Sequence, residues 1–261
     1  MLGVIGGDII GSVYEFKKRT AYDFSPLFHP KSKITDDTIC SIAIMDALTN
    51  DKCPTTTLRE WCRRYFRVGG WGKRFIFWVM AEEPKPYGSA GNGSAMRIAS
   101  VGWAAQSEAD LFELSNRFTS ITHDHEDGLT AAKATSLAVF LARNGNTQQQ
   151  ISERLSVFYD LNFSLDELRV NYTRTEMAND SVPQALYCAL NSSSYEDAVR
   201  NAVSLGGDAD TQAAIAGGVA EALYGIENHL VEEILSYLDN DMIKVIRDFY
   251  KKYNLPIEVL N

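Results

Sequence analysis

The stretch GGDADTQAAIAGGVAEAL, residues 206–223, decides the fold of this 261-residue chain. Its second part predicts a helix from Thr211 to Leu223 that is small on nearly every side, with Gly217 and Gly218 in its interior. Glycine costs about 1 kcal/mol relative to alanine inside a helix, so two in a row need a physical reason. Close packing against neighbouring backbones supplies one. We therefore expect this helix at the centre of the molecule, with its N-terminus deep in the structure.

Helical periodicity dominates the rest of the sequence. Apolar and small residues recur at the three-and-four spacing of one helix face from Ile39 to Ala47. Alternating strand patterns are nearly absent, and turn residues separate the helical segments. The sequence predicts an all-α fold, a compact multi-helix bundle around the central small-residue helix, in one domain over residues 1–261. Similar patterns predict helices over residues 109–118, 129–142, 148–158, 182–190, 195–204 and 231–238.

The composition is that of an acidic globular protein. Hydrophobic residues make up 45% of the chain, charged residues 23%, and the net charge is −9. A uniformly acidic protein repels phosphate backbones, so we expect no nucleic-acid backbone binding. The four cysteines, Cys40, Cys53, Cys62 and Cys188, have no CxxC spacing, which favours a reducing compartment. Asp8 interrupts the apolar N-terminal stretch, which argues against a signal peptide, and we expect a cytoplasmic monomer without a membrane contact.

Two acidic motifs stand where helices are predicted to begin: GGDADT at residues 206–211 and TDDT at residues 35–38. Helix capping explains them in part, because Asp and Thr are preferred N-cap residues and acids suit the first turn. Capping does not explain both aspartates beside the glycine pair. Adjacent Asp36 and Asp37 also repel each other unless a positive charge lies beside them. Each motif is therefore compatible with a cap or with a ligand site.

A third acidic group lies in GDIIGSVYE, residues 7–15. The spacing of Asp8, Ser12 and Glu15 predicts that they share one helix face. If the three groups converge, their negative charge cannot be buried without cations, and oxygen ligands suit Mg²⁺, Mn²⁺ or Ca²⁺ and not zinc. The candidate ligand oxygens belong to Asp8, Glu15, Thr35, Asp36, Asp37, Asp208, Asp210 and Thr211.

A glycine-rich loop and a histidine pair follow the first acidic motifs. The loop YGSAGNGSAMR, residues 87–97, could hold a diphosphate with its backbone N–H groups, although such stretches are more often simple turns. His123 and His125 lie in THDHEDG, where substrate contact or loop structure is favoured over metal ligation. His29 and His229 have no such context.

One aromatic and one basic segment complete the candidates. The run GGWGKRFIFW, residues 69–78, is expected to be mostly core, with glycines that let the backbone pass close to a ligand. Arg59, Arg63, Arg64 and Arg67 are expected to form a solvated helix face, not a nucleic-acid patch.

Four motifs in this order resemble the ADP-ribosylglycohydrolase family: GDxxGSxxE, TDDT, GNGSAMR and GGDxDT. The resemblance runs from residue 6 to residue 225. It implies an all-α fold of about a dozen helices with a binuclear Mg²⁺ site, Mn²⁺ being the alternative. It also implies hydrolysis of the glycosidic bond that links ADP-ribose to a modified protein side chain or small molecule.

The resemblance implies roles for individual residues. Glu15 matches a glutamate that sits on a mobile loop over the substrate in some members, and we expect it on the acceptor side of the scissile bond. The implied metal ligands are Thr35, Asp36, Asp37, Asp208, Asp210 and Thr211. The implied substrate contacts are Ser89, Gly91, Asn92, Gly93, Ser94 and His123. The candidate catalytic acids are Glu15, Asp36, Asp37, Asp208 and Asp210.

Two departures and two alternatives accompany this interpretation. Many relatives carry an aromatic residue where this chain has Ala90, and often a proline where it has Asp124, so ligand contact and loop path are expected to differ there.

The alternatives are an ADP-ribose-binding protein without catalysis and another dinuclear-metal hydrolase such as a phosphoesterase. The intact acidic motifs argue against the first. Phosphoesterase sites usually include histidine ligands, and this chain has only four histidines.

Overall fold

The computed structural model describes residues 1–255. Over this range the chain forms fifteen α-helices, a 3₁₀ turn at Phe66–Val68 and an isolated antiparallel bridge between Gly91 and Met177, with no sheet. The predicted all-α fold is confirmed. The helices are α1 Leu2–Gly11, α2 Asp36–Thr49, α3 Pro54–Arg64, α4 Lys73–Met80, α5 Gly93–Met96, α6 Ala99–Ala104, α7 Glu108–Thr119, α8 Glu126–Arg143, α9 Gln148–Leu155, α10 Leu165–Asn171, α11 Ala178–Leu190, α12 Tyr195–Ser204, α13 Ala209–Tyr224, α14 Asn228–Ser236 and α15 Asn240–Lys252.

Helix α13 lies at the centre of the bundle, as its small residues predict. Its residues from Ala209 to Ala220 are all buried, and α1, α8, α11 and α12 pack around it. Helix α1 runs along it in backbone contact, because a methyl group at Gly3 would collide with the carbonyl oxygen of Gly217. A methyl group at Gly217 of α13 would likewise collide with the carbonyl oxygen of Gly3. The close-packing explanation for the glycines of α13 is therefore confirmed.

Helix α1 also joins the N-termini of α2 and α13. Within α1, Asp8 is fully buried and accepts hydrogen bonds from the backbone N–H of Thr35 at 2.9 Å and of Thr38 at 3.2 Å. At the end of α1, Gly11 lies against the backbone of Asp210, where a Cβ would come within 2.5 Å of its Cα. The two helix starts that carry the acidic motifs are thereby held against one buried helix.

The prediction that Asp8, Ser12 and Glu15 share a helix face is wrong. Helix α1 ends at Gly11, and Ser12 is its C-cap. The chain then turns, with the backbone N–H of Phe16 donating to the carbonyl of Gly207 at 3.2 Å, so Glu15 lies outside the helix.

Other differences concern helix limits. The helix predicted over residues 148–158 ends at Leu155. In the aromatic run, Phe75 and Trp78 are buried as expected, but Phe77 is 77% exposed. Periodicity does not predict α1, because a helix that is buried on all sides has no single apolar face.

Among the helices of residues 1–255, none combines the length and the apolar character that crossing a bilayer requires. The single-domain organisation over residues 1–261 stays a prediction, and its last six residues, 256–261, lie outside the described range.

Candidate active site

A cavity of about 780 Å³ opens where the N-termini of α2 and α13 meet. Its size is within the range of roughly 300–1,000 Å³ typical of small-molecule sites. Thr35 and Ser94 are buried and are not among the lining residues found in the described part of the chain. The predicted site residues that line the cavity are Glu15, Asp36, Asp37, Ser89, Gly91, Asn92, Gly93, His123, Asp208, Asp210 and Thr211.

The α2 side of the cavity is built on a capped helix start. The Thr35 hydroxyl accepts a hydrogen bond from the backbone N–H of Asp37 at 3.3 Å and donates to Asp8 Oδ1 at 2.7 Å. Because Thr35 supplies the cap, the carboxylates of Asp36 and Asp37 are left to face the cavity. Asp37 is 2% exposed, and its Oδ2 atom has no hydrogen-bond partner in the described structure.

The loop of residues 69–72 approaches Asp36 closely and forms part of the cavity wall on the α2 side. Gly70 lines the cavity with φ +91°, and a methyl group there would collide with Asp36 Oδ1. Glycine is required at this position both by the backbone conformation and by the space available. Close approach of these glycines to a ligand stays a prediction.

The α13 side of the cavity is different. Asp208 occupies the N-cap position but makes no side-chain capping bond. Its Oδ2 atom instead accepts a hydrogen bond from Asn92 Nδ2 at 2.6 Å. Asp210 Oδ1 accepts from the backbone N–H of Thr211 at 3.0 Å. The α13 start is therefore linked directly to the glycine-rich loop.

Glu15 joins the α13 acids in one cluster. Three carboxylate oxygens, one each from Glu15, Asp208 and Asp210, lie within 4.8 Å of one another. This spacing is close enough for the three oxygens to hold one metal ion. Arg174 donates to Glu15 Oε1 at 3.2 Å and pairs with Glu176 Oε1 at 2.9 Å. The turn that follows α1 produces this cluster, which the sequence spacing did not predict.

Burial and mutual repulsion raise the pKa of the cavity acids. Burial, followed by the charge of Asp8, raises the pKa of Asp36 to about 8. Burial, followed by the neighbouring carboxylates, raises the pKa of Asp37 and of Asp210 well above the usual range for aspartate. Burial also raises the pKa of Asp208, partly offset by the hydrogen bond from Asn92. Such a group of acids is stabilised in its charged form by a cation.

The donor set fits a divalent cation. All candidate ligand atoms are carboxylate or hydroxyl oxygens, which suit Mg²⁺ or Mn²⁺. The unpartnered Oδ2 of buried Asp37 is also what an absent positive partner would leave behind.

The glycine-rich loop is fixed on both sides. The backbone N–H of Asn92 donates to the carbonyl of Glu176, and that of Ala178 donates to the carbonyl of Ala90, both at 2.9 Å. On the other side, the Gly88 N–H donates to Asp124 Oδ1 at 2.6 Å. Asp124, one of the two departures from the family pattern, therefore ties the histidine loop to the glycine-rich loop.

The two histidines of the pair have different positions. His123 is buried, lines the cavity and contacts the Thr122 hydroxyl through Nδ1 at 2.7 Å. Burial, followed by the charge of Arg97, lowers its pKa well below the usual value, so the ring is neutral. His125 Nδ1 accepts from the backbone N–H of Asp127 at 3.2 Å and caps α8. The loop-structure interpretation of His125 is confirmed.

Sequence reasoning did not assign several cavity-lining residues to the site, and two of them, Arg97 and Arg174, make hydrogen bonds to other site residues. Arg97 is 1% exposed and donates to the Thr122 hydroxyl at 2.6 Å. It closes the GNGSAMR motif, which was a usable signal. Arg174 contacts Glu15 across 159 residues of sequence, and no local pattern around it marks a site.

Comparison with known proteins identifies relatives along the whole chain. A family model described as ADP-ribosylglycohydrolase matches residues 1–257. The ADP-ribosylarginine hydrolase Tri1 of Pseudomonas putida (strain GB-1) is 26% identical over 265 residues, covering 87% of this chain and 70% of Tri1. The ADP-ribosyl-(dinitrogen reductase) glycohydrolase of Rhodospirillum rubrum is 27% identical over 272 residues, covering 94% and 91% of the two chains.

Human ADP-ribosylhydrolase ARH3 is 27% identical over 187 residues, which cover 54% of this chain and 52% of ARH3. Among solved structures, one entitled ADP-ribosylglycohydrolase-related protein complex superposes with a TM-score of 0.74 at 22% identity, covering 98% of this chain and 96% of the other. That likeness concerns the fold. With its motifs, its cavity and a family model that matches nearly every residue, the chain belongs to the ADP-ribosylglycohydrolase family.

Proposed function

We propose that this protein hydrolyses the glycosidic bond between ADP-ribose and a modified acceptor and releases free ADP-ribose. The observation that carries the proposal is one cavity in which Glu15, Asp208 and Asp210 gather beside the glycine-rich loop, in a chain of this family. The acids would act at the reacting ribose, and the glycine-rich loop would bind the diphosphate. The acceptor is an ADP-ribosylated protein side chain or a small molecule.

The cavity would hold two Mg²⁺ ions, or Mn²⁺. The residues that fit them are Asp36 and Asp37 on α2 and Asp208 and Asp210 on α13, with Thr35 and Thr211 supplying hydroxyls. When bound, such ions orient ribose hydroxyls and lower the pKa of water. The buried, mutually repelling carboxylates and the unpartnered oxygen of Asp37 support this assignment.

The protein's own groups would bind and orient the substrate. Gly91 and Gly93 line the cavity near the start of α5, and their backbone N–H groups would suit phosphate oxygens, the Gly91 N–H by exchanging its 3.4 Å hydrogen bond to Ser89 Oγ. The buried guanidinium of Arg97 faces the same cavity and adds positive charge for the diphosphate. His123, held neutral by burial, is positioned to hydrogen bond a ribose or phosphate oxygen without adding charge.

The carboxylates would stabilise the oxocarbenium character that develops as the glycosidic bond breaks. Glu15 is the most accessible of the clustered acids, with 20% of its side chain exposed. We therefore assign Glu15 to the acceptor side of the scissile bond, where it would orient the acceptor or exchange a proton at its Oε atoms. Asp208 and Asp210, at 6% and 4% exposure, lie deeper.

The test is release of ADP-ribose from peptides that carry ADP-ribosylarginine or ADP-ribosylserine, with and without Mg²⁺. The wild type is expected to release ADP-ribose from at least one of them, and Asp210→Asn is expected to abolish that release. Asp51→Asn is the matched control, because Asp51 has an exposed carboxylate and a φ of +51° that asparagine tolerates. Binding without release would identify a non-catalytic binding protein, and cleavage at the diphosphate would identify a phosphoesterase.

We infer a cytoplasmic location and a monomeric state as expectations that accompany this function. All four cysteines are free thiols, and three of them are buried, which supports a reducing compartment. Analytical ultracentrifugation would test the monomer.

A further inference from the structure

A second, smaller groove lies beside the mouth of the active-site cavity. It measures about 280 Å³ and is formed by α4 and the segment that follows it. Arg74 and Tyr87 line both the groove and the cavity, so the two are adjacent. The groove is lined by Arg74, Phe77, Trp78, Ala81, Lys85 and Tyr87.

Exposed apolar side chains mark this part of the surface. Phe77 is 77% exposed and Met80 is 49% exposed, both on α4. Leaving an aromatic ring of this size in water costs free energy that burial against a partner would recover. Exposed apolar side chains next to a concave surface are typical of interaction sites.

The same segment carries a positive charge that the rest of the chain lacks. Residues 59–85 contain seven basic and three acidic residues, a net charge of +4, in a chain whose net charge is −9. Within residues 1–255, Arg64 is the one member of this basic set that pairs with a carboxylate, that of Asp241. The basic residues are Arg59, Arg63, Arg64, Arg67, Lys73, Arg74 and Lys85.

Two of the cations without a carboxylate partner within residues 1–255, Arg74 and Lys85, line the groove, and two more contact the end of α4. Arg59 Nε and Arg63 Nε both donate to the carbonyl oxygen of Val79, at 3.1 and 3.0 Å, at the end of α4. Arg59 also donates to the carbonyl of Ala81, which lines the groove. We call the surface formed by Arg59, Arg63, Arg74, Phe77 and Lys85 the α4 face.

We propose that the α4 face docks the protein that carries the ADP-ribose group, through an acidic surface of that protein with an apolar side chain in the groove. This proposal rests on the proposed function, because a protein docked in a groove next to the cavity would bring its ADP-ribose group to the acids of the active site. Charge complementarity argues for an acidic partner surface. The apolar lining and the negative charge of the whole chain favour a protein over a nucleic acid.

The test compares two probes on the full chain. One is ADP-ribosylarginine, and the other is a strongly acidic carrier protein that bears a single ADP-ribosylarginine. The test variant is Phe77→Ser with Lys85→Glu, and the matched control is Val157→Ser with Lys251→Glu, because Val157 is 79% exposed and Lys251 is also exposed, and neither lines the groove. Release rates are measured for each probe. Affinities are measured in the same variants carrying Asp210→Asn, which is expected to separate binding from turnover.

The test variant is expected to weaken binding of the modified protein, and raise its KM, by about tenfold or more, as loss of an interface hot spot does. Its affinity and turnover for ADP-ribosylarginine should stay within about twofold, since neither residue lines the active-site cavity. Added NaCl should weaken binding of the protein probe and leave the small probe nearly unaffected.

Equal losses for both probes, or no loss for either, would overturn docking at the α4 face. So would binding of a single-stranded oligonucleotide that displaces the acidic protein. If no variant releases ADP-ribose but the test variant still loses affinity for the protein probe, docking stands and the proposed hydrolysis fails.

Discussion

The N-termini of α2 and α13 carry similar acidic motifs, but only one of them is capped by a side chain. At α2 the Thr35 hydroxyl accepts from the backbone N–H of Asp37, and the aspartates that follow are free for other partners. At α13 the N-cap residue is Asp208 itself, and its carboxylate accepts from Asn92 instead of from its own helix. An aspartate N-cap normally stabilises a helix by about 1 kcal/mol.

The difference shows how a cap and a ligand site compete for one carboxylate. In α2 a hydroxyl makes the capping bond, so neither carboxylate is needed for the cap and the helix start keeps its own side-chain bond. In α13 the capping bond is given up, and the N-terminus depends on the glycine-rich loop and on whatever binds in the cavity. We expect the α13 start to be the more sensitive of the two to changes in the site.

Removal of divalent metal is expected to have the largest effect, because it acts on both helix starts at once. Chelation with EDTA should abolish release of ADP-ribose, and Mg²⁺ or Mn²⁺ should restore it. A ligand at 100 times its Kd stabilises a folded protein by about 2.7 kcal/mol, so Tm should fall by roughly 5 °C on chelation. Hydrogen exchange should rise more at residues 206–212 than at residues 35–40. Full turnover in chelator, with no metal bound, would refute the metal assignment.

The second prediction separates capping from ligand function at α13. Asp208→Ser supplies a good N-cap residue but removes the carboxylate, so we expect release of ADP-ribose to fall by at least about tenfold. The thermal stability of the metal-free variant should equal or exceed that of the wild type, because serine can cap the helix and one repelling charge is gone. The comparison at α2 is Thr35→Ala, which should lower stability by at least about 1 kcal/mol, because it removes both the cap and the hydrogen bond to buried Asp8. Normal turnover in Asp208→Ser would make Asp208 a structural residue.

The sequence predicts those parts of the site that depend on local patterns. The helix starts at residues 35–38 and 206–211, the glycine-rich loop and the packing of the central helix are each visible in one short segment. The position of Glu15 is not, because it depends on where α1 ends and on the bond between Phe16 and Gly207. Arg174 is equally hidden, since its partner lies 159 residues away.

The helices, too, are predictable only where a local sequence pattern marks them. Helices with one buried face, such as α7 and α12, are visible as three-and-four periodicity. Helix α1 is apolar and small on all sides, so periodicity cannot reveal it, although it holds both acidic motifs together. The roles of the individual acids as ligands or catalysts stay predictions, since proximity alone does not assign them.

The third prediction concerns the cation beside the α13 cluster. Arg174 pairs with Glu15 at 3.2 Å, and its guanidinium lies 4.6 Å from the ring centre of exposed Phe16. Arg174→Gln should leave Glu15 less well positioned and lower kcat several-fold, by less than the loss expected for Asp208→Ser. Arg174→Lys should recover part of kcat, since it restores the charge but not the planar contact. Arg200→Lys is the control, because Arg200 also pairs with a glutamate, Glu196, but does not line the cavity.

A raised KM for ADP-ribosylarginine with an unchanged kcat in Arg174→Gln would assign Arg174 to substrate binding. An unchanged kcat would remove it from the positioning of Glu15 altogether. The KM and kcat measurements therefore distinguish the two roles of the arginine.

The smallest expected effect lies at the other end of α2, where an acid is stabilised by neighbours and not by a metal. Burial raises the pKa of Asp46, but hydrogen bonds from Trp61 Nε1 at 2.9 Å, from Lys52 and from Asn50 outweigh that effect and lower it. Because the folded pKa lies below the unfolded value of 3.8, this stabilisation is present above about pH 4 and is lost as the pH falls through the folded pKa.

Asp46→Asn should therefore lower Tm by a few degrees at pH 7, and the gap to wild type should close as the pH falls below about 4. Activity with saturating Mg²⁺ should be unchanged, because Asp46 does not line the cavity. Thermal unfolding of both proteins across this pH range measures the gap directly. A gap that stays constant with pH would mean that the Asp46 side chain stabilises the helix end by shape and hydrogen bonding alone. Its charge would then contribute nothing, and the contrast with the acids at the start of α2 would be one of position only.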